Sequence, residues 1–128
     1  MDTEIKPEEV LYRAVFPSPA IFWDEELGRY SSAIFKDSKG VSVDRDYNRT
    51  DNDICDEFKS RFPNKKLEAV VSIGADFCYD LPTHLEYKPE PDNEYHSEIY
   101  DSKTKITISK PKLRKLAEKC NVINLKVK

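Results

Sequence analysis

Glycine is scarce in this chain, with only Gly28, Gly40 and Gly74 in 128 residues. A P-loop or a G-x-G-x-x-G turn needs glycines clustered within a few positions, so neither phosphate-cradling fingerprint is present. No serine stands in G-x-S-x-G, which leaves a nucleophile-elbow hydrolase unsupported. Cysteine is limited to Cys55, Cys78 and Cys120. They are odd in number and far apart, with no C-x-x-C or C-x-H pair, which argues against a structural zinc site and against a disulfide framework. None lies in an electropositive motif of the kind that activates a thiol. Free cysteines of this kind fit a reducing cytoplasm. No apolar run approaches the length that spans a bilayer, so no membrane partner is expected. The opening residues MDTEIKPEEV are acidic and lack the apolar core of a signal peptide.

What the chain has in quantity is charge. Asp, Glu, Lys and Arg make up 35% of it, against 38% hydrophobic residues, and the net charge is -3. The length fits one domain, large enough to bury about two thirds of its unfolded surface without staples. The charge is split unevenly. Residues 103–128 hold eight Lys and one Arg against Glu118 alone, while residues 1–102 carry a local -11. A split of this kind marks either an anionic partner for the basic end or simple balance between two solvated regions.

Periodicity places the elements. Residues 1–8 read as a frayed acidic arm. Glu9 to Phe16 alternates as a first strand, with Leu11, Arg13 and Val15 on one side. Ser31–Phe35 and Val41–Arg45 read as a hairpin turning at Gly40. Thr50 and Asp53 have capping-box spacing at the head of a helix reaching Phe62, with Ile54, Cys55, Phe58 and Phe62 on its apolar face. Leu67–Ile73 is a central strand and His84–Lys88 a short one. Tyr95–Tyr100 and Thr104–Ile108 read as a second hairpin. Ser109–Cys120 is a helix with Pro111 in its first turn, and Val122–Val127 an edge strand. On its apolar face this helix buries Leu113, Leu116 and Cys120, leaving Lys112, Lys115 and Lys119 exposed. The expected fold is α+β, a small antiparallel sheet built from hairpins with two helices packed on one face.

Chemistry-bearing residues fall within the strands. His96 and Glu98, two apart, share a strand face, so Glu98 can orient an imidazole that moves a proton. The H-x-E spacing also occurs in zinc deaminases, but the P-C-x-x-C half is missing, which excludes that class. Asp44 and Asp46 repeat the same geometry and, with Glu98, could hold magnesium; no other cofactor is expected. Arg13 sits in an apolar strand, where it must pair with an acid or reach a ligand anion. The Lys112, Lys115 and Lys119 stripe could meet phosphates or only water.

The segments Ser31-Ser-Ala-Ile-Phe-Lys36, Val41-Ser-Val-Asp-Arg45, Tyr95-His-Ser-Glu-Ile99 and Leu113-Arg-Lys-Leu-Ala117 resemble, in that order, a small bacterial family of single-domain proteins. The resemblance covers most of the chain and implies a bacterial or phage cytoplasmic setting. Leu11-Tyr-Arg13 followed by a serine-bearing strand is also similar to ADP-ribosyltransferase-like toxins. Taken together, the expected function is binding of an anionic ligand such as a nucleotide or nucleic-acid fragment. Arg13, Lys36 and Arg45 would meet phosphate, Ser32 would donate a hydrogen bond, and His96 with Glu98 would serve any acid–base step. The site would lie where residues 31–49 meet the His96–Glu98 strand. The alternative is an immunity-type protein whose acidic surface, around Asp51, Asp53, Asp56, Glu57 and Tyr47, meets a basic protein.

Overall fold

The structure, a computed structural model, describes residues 1–19 and 22–123. Leu11 and Val15 alternate with Tyr12 and Ala14 in the first strand, β1 (Val10–Val15), so both of its sides are apolar. A strand with two apolar sides must sit inside a sheet covered on both faces. β1 does so. It pairs along its whole length with β5 (Ala69–Gly74), from Val10 opposite Gly74 to Val15 opposite Ala69. Between the two strands in the chain come a ribbon, β2 (Trp23–Asp24) with β3 (Arg29–Tyr30), then the strand β4 (Val41–Arg45) and the helix α1 (Asp51–Arg61). After β5 follow α2 (Ala75–Asp80), β6 (His84–Tyr87), β7 (His96–Tyr100), α3 (Lys110–Lys119) and β8 (Asn121–Ile123). The main sheet is antiparallel, in the order β6-β7-β4-β1-β5-β8. The α+β class is therefore as the periodicity indicates.

The two helices expected on one face, α1 and α3, do not share it. Leu11, Val43, Val71, Ile73 and Ile99 pack with Leu113, Leu116 and Ala117 of α3. Tyr12 and Val70, one residue out of phase, pack with Ile54, Cys55 and Phe58 of α1. Because alternate residues point to opposite sides, α1 and α3 cover opposite faces. The continuous apolar character of β1 and β5 is the sequence sign of this arrangement.

Other expectations also change. Ser31–Phe35 is not a strand. Ser32–Phe35 form a 3-10 turn capped by the Ser31 hydroxyl, and its consecutive residues Ile34 and Phe35 are both buried, which a strand facing water on one side does not allow. Thr104–Ile108 forms no hairpin with β7, whose neighbours are β6 and β4. Residues 101–106 instead make a tight turn, with Asp101 N donating to Ile106 O and Asp101 Oδ1 accepting from Ser109 N at the head of α3. The arm at 1–8 is docked: Ile5 is buried in the core, and its carbonyl accepts from the Tyr79 hydroxyl. Asn121–Ile123 form the expected last strand; the rest of that segment lies outside the described residues. The Thr50 capping box is present, with Asp53 N to Thr50 Oγ1 at 3.1 Å and Thr50 N to Asp53 Oδ2 at 3.2 Å.

Candidate functional site

α1 is too short to cover its whole side of the sheet. It shields β1 and β5, and leaves the half built by β4, β7 and β6 open. Register fixes what that half displays. Asp44 lies opposite His96, Ser42 opposite Glu98, Glu98 opposite Glu86, and Tyr100 opposite His84. Each of these side chains is polar or has a polar tip, so the open half-face is a polar floor bounded by the end of α1.

The ladder between β1 and β4 is short. Only Leu11–Arg45 and Tyr12–Asp44 pair; Val41–Val43 have no partner in β1. Arg13 occupies the gap. Its Nε donates to Ile34 O at 2.6 Å and its Nη1 to Ser42 O at 2.8 Å, so a side chain takes the place of missing ladder bonds. The gap opens into a cleft of about 470 Å³. Arg13, Lys39, Gly40, Ser42, Asp44 and Arg61 line it, with Glu90, Asn93, His96 and Glu98 opposite and Phe16, Phe58 and Phe62 as its apolar wall.

Two carboxylates in the cleft are held tightly. Asp44 Oδ2 accepts from Arg61 Nη2 at 3.0 Å and Oδ1 from the buried Asn93 Nδ2 at 2.9 Å. Glu98 accepts from the Tyr100 hydroxyl at 2.8 Å, with His96 Nε2 at 3.3 Å and Lys88 Nζ at 3.5 Å. Burial pushes the Glu98 pKa up, but the hydrogen bonds from Tyr100 and His96 and the charge of Lys88 outweigh it and hold the carboxyl below its ordinary range. Burial and the same carboxylate raise the Tyr100 phenol. His96 Nδ1 faces Glu90, 3.6 Å away on the rim. Gly40 makes this packing feasible. Its φ is +105°, and a Cβ there would lie 2.6 Å from the Tyr100 ring and 2.7 Å from Glu98 Oε1.

Arg13 differs from Arg61. Among the described residues no carboxylate lies within ion-pair reach of it, and its partners are backbone carbonyls. Burial lowers its pKa, and Asp37 offsets only part of that effect. The guanidinium stays charged, so a poorly compensated cation stands on the cleft wall.

The cleft thus gathers Arg13, Asp44, His96 and Glu98 of the expected residues, and not the others. Arg45 lies on the opposite face and is among the largest fully buried side chains. It forms a bidentate pair with Glu9 (2.7 and 2.8 Å), donates to the carbonyls of Asp2 and Glu4, and lies over the Tyr87 ring. With its donors engaged it pins the amino-terminal arm and is not free for phosphate. Ser32 is on the 3-10 turn and Lys36 caps its end in solvent; neither lines the cleft. The Asp44–Asp46–Glu98 magnesium set does not form, because Arg61 and Asn93 occupy Asp44 and Asp46 Oδ1 accepts from Val10 N. Among the described residues no group of three or more His, Cys, Asp or Glu is placed to hold a metal ion. Cys78 is buried with its thiol pushed up to about 12, and burial also raises Cys55 and Cys120, so none is a ready thiolate.

Arg61, Asn93, Lys39 and the Phe16–Phe62 wall escape a reading by strand alternation, since they come from a helix end and loops. A signal for two of them is present: Arg61 and Phe62 extend the apolar face of α1 past its last full turn. Comparison with family models, with curated proteins and with solved structures gave no match. No helix among the described residues is long and apolar enough to cross a membrane.

Proposed function

We propose that the cleft binds a small anionic ligand, and that a nucleotide is the best fit. The observation that carries this reading is Arg13, a cleft-lining guanidinium held by carbonyls, with no carboxylate within ion-pair reach among the described residues. Phosphate is the complement of such a fork. The aromatic wall of Phe16 and Phe62, whose rings meet edge to face at 5.1 Å, supports a planar base as the other part of the ligand. His96, oriented by Glu98, is the group placed to accept a proton from a bound ligand, should a reaction follow.

Thermal melting with 5′-nucleotides and the matching nucleosides tests the reading. Nucleotide at about one hundred times its Kd should add about 2.7 kcal/mol of stability. The nucleosides should add far less, and Arg13→Lys, which keeps the charge but loses the fork, should weaken the effect. Absence of any nucleotide-induced shift, with or without magnesium, rejects it.

A second reading, a basic protein partner, is favoured by Tyr47. Its φ is +44° and that of Asn48 is +67°, and the Tyr47 ring is 46% exposed. A bulky residue held in this region is strained, and strain of this kind clusters at functional positions. Asp51, Asp53 and Asp56 are exposed nearby on α1. Co-purification from a native host tests it: a bound basic protein released by Tyr47→Ala supports the reading, and a clean monomer at physiological salt rejects it.

A further inference from the structure

The cleft does not end at its aromatic wall. Lys65 Nζ stands 5.2 Å from the Phe16 ring centroid and 5.7 Å from that of Phe62. Both rings line the cleft, so Lys65 marks its rim. Lys66 follows it, and both are exposed on the loop that leaves α1. From inside outward the order is therefore a guanidinium, two aromatic rings and a lysine pair. A mononucleotide needs one cation and one apolar surface, and the lysine pair lies beyond both. A cationic track interleaved with aromatic rings is instead what a single strand requires, because successive phosphates meet cations and the bases find sequence-tolerant apolar faces.

We propose that the ligand is the end of a single-stranded nucleic acid, with its terminal nucleotide in the Arg13 cleft and the strand leaving over Phe62 and the Lys65–Lys66 pair. The inference rests on the nucleotide reading of the cleft and adds the polymer to it. DNA and RNA share this chemistry. A duplex end does not fit a cleft of about 470 Å³ walled by the sheet and α1.

Fluorescence anisotropy with labelled single-stranded U8 and dT8, beside calorimetric titration with 5′-UMP and 5′-dTMP, separates the two levels. At least one 8-mer should bind about tenfold or more tighter than its mononucleotide, with affinity falling steeply as salt rises. The preferred 8-mer tells RNA from DNA, and an unlabelled duplex of the same sequence should not compete. The double variant Lys65→Gln/Lys66→Gln should lower the salt slope by about 1.4, the value for two strand phosphates, and reduce the 8-mer's advantage to less than about threefold. Both lysines are exposed, and an unchanged melting temperature of the variant will verify its fold. If the mononucleotides bind and the 8-mers bind no tighter, the strand inference is wrong and the nucleotide cleft stands. If an 8-mer is tighter but the double variant keeps both advantage and slope, the path over the lysine pair is wrong. If neither mononucleotides nor 8-mers bind, the strand inference falls together with the reading beneath it.

Discussion

Single residues in this protein carry duties that their types alone do not disclose. Arg13 and Arg45 stand in neighbouring strands among apolar residues, and alternation treats them alike. One lines a cleft and the other is a rivet; the difference lies in Glu9, whose carboxylate reaches Arg45 across the fold. Removing the rivet should be severe. Arg45→Met should destabilise the protein by about 3–5 kcal/mol, the range for breaking a buried pair, and should free residues 1–8 for cleavage by protease under native conditions. Urea unfolding and limited proteolysis will check both parts. Gly40 is equally exposed to test. Gly40→Ala puts a Cβ on a backbone at φ +105° and against the Tyr100 ring, so a loss of about 1–3 kcal/mol in urea unfolding is expected. Acid sensitivity also belongs at this scale. In Glu9, burial pushes the pKa up, but the hydrogen bonds from Arg45 and Lys6 N and the Arg45 charge prevail, so it is lowered, as in Glu98. A carboxyl depressed on folding stabilises fully above its unfolded pKa, and that contribution is lost as pH falls through the folded value. Melting temperature should therefore be flat between about pH 5 and 8 and fall below that range, and Glu9→Gln should flatten the acid limb.

Among the elements, α1 and α3 were legible, and the two expected hairpins and the short α2 were not. Thr50, Asp53 and the Ile54–Phe58 face announce α1 because helical contacts are local: cap, dipole and apolar stripe all lie within one segment. α3 shows the same logic. Leu113 and Leu116 are buried, and Leu116→Ala should lower stability by about 2–5 kcal/mol in urea unfolding. Its lysine stripe is less uniform than its spacing indicates. Lys112 Nζ donates to the carbonyls of Pro82 and Asp101, both at 2.8 Å, while Lys115 and Lys119 are exposed. Lys112→Gln should thus lower the melting temperature, whereas Lys115→Gln with Lys119→Gln should leave it nearly unchanged. Cys120, on the same expected face, is only partly buried because it already ends the helix. Strand pairing depends on partners remote in sequence. Ser31–Phe35 and Thr104–Ile108 carry strand-like composition, but capping by Ser31 in one case and Asp101 in the other diverts them into turns. The site was half legible for the same reason. Residues on β4 and β7 share a face by register, whereas Arg61, Asn93 and the aromatic wall reach the cleft only through the tertiary path of α1 and the 89–95 loop.

At the scale of the whole molecule, the sheet is asymmetric. One face packs against α3, α2 and the 3-10 turn, and the other is covered by α1 over only part of its width. The six strands are thereby grouped as β6-β7-β4 and β1-β5-β8. The pairs Leu11–Arg45 and Tyr12–Asp44 and the bond from Asp46 N to Val10 O join the groups, with the Arg13 guanidinium bridging at the other end. That junction is a seam, and seams have mechanics. Splaying the two groups would widen the cleft, because Ser42 on one side belongs to β4, while Phe58 of α1 and Phe62 just after it pack on β1 and β5. The guanidinium stitches the seam where the cleft opens, and it is also the group proposed to meet the ligand. If an anion binds Arg13 as proposed, it would pull on the lateral continuity of the sheet, and the sheet in turn would set how far Arg13 can yield. Ligand size would then be gauged by the elasticity of a β-ladder rather than by a mobile lid, and the amide of Asp44, which faces Tyr12 of β1 across the seam, would be the first to register occupancy in hydrogen exchange.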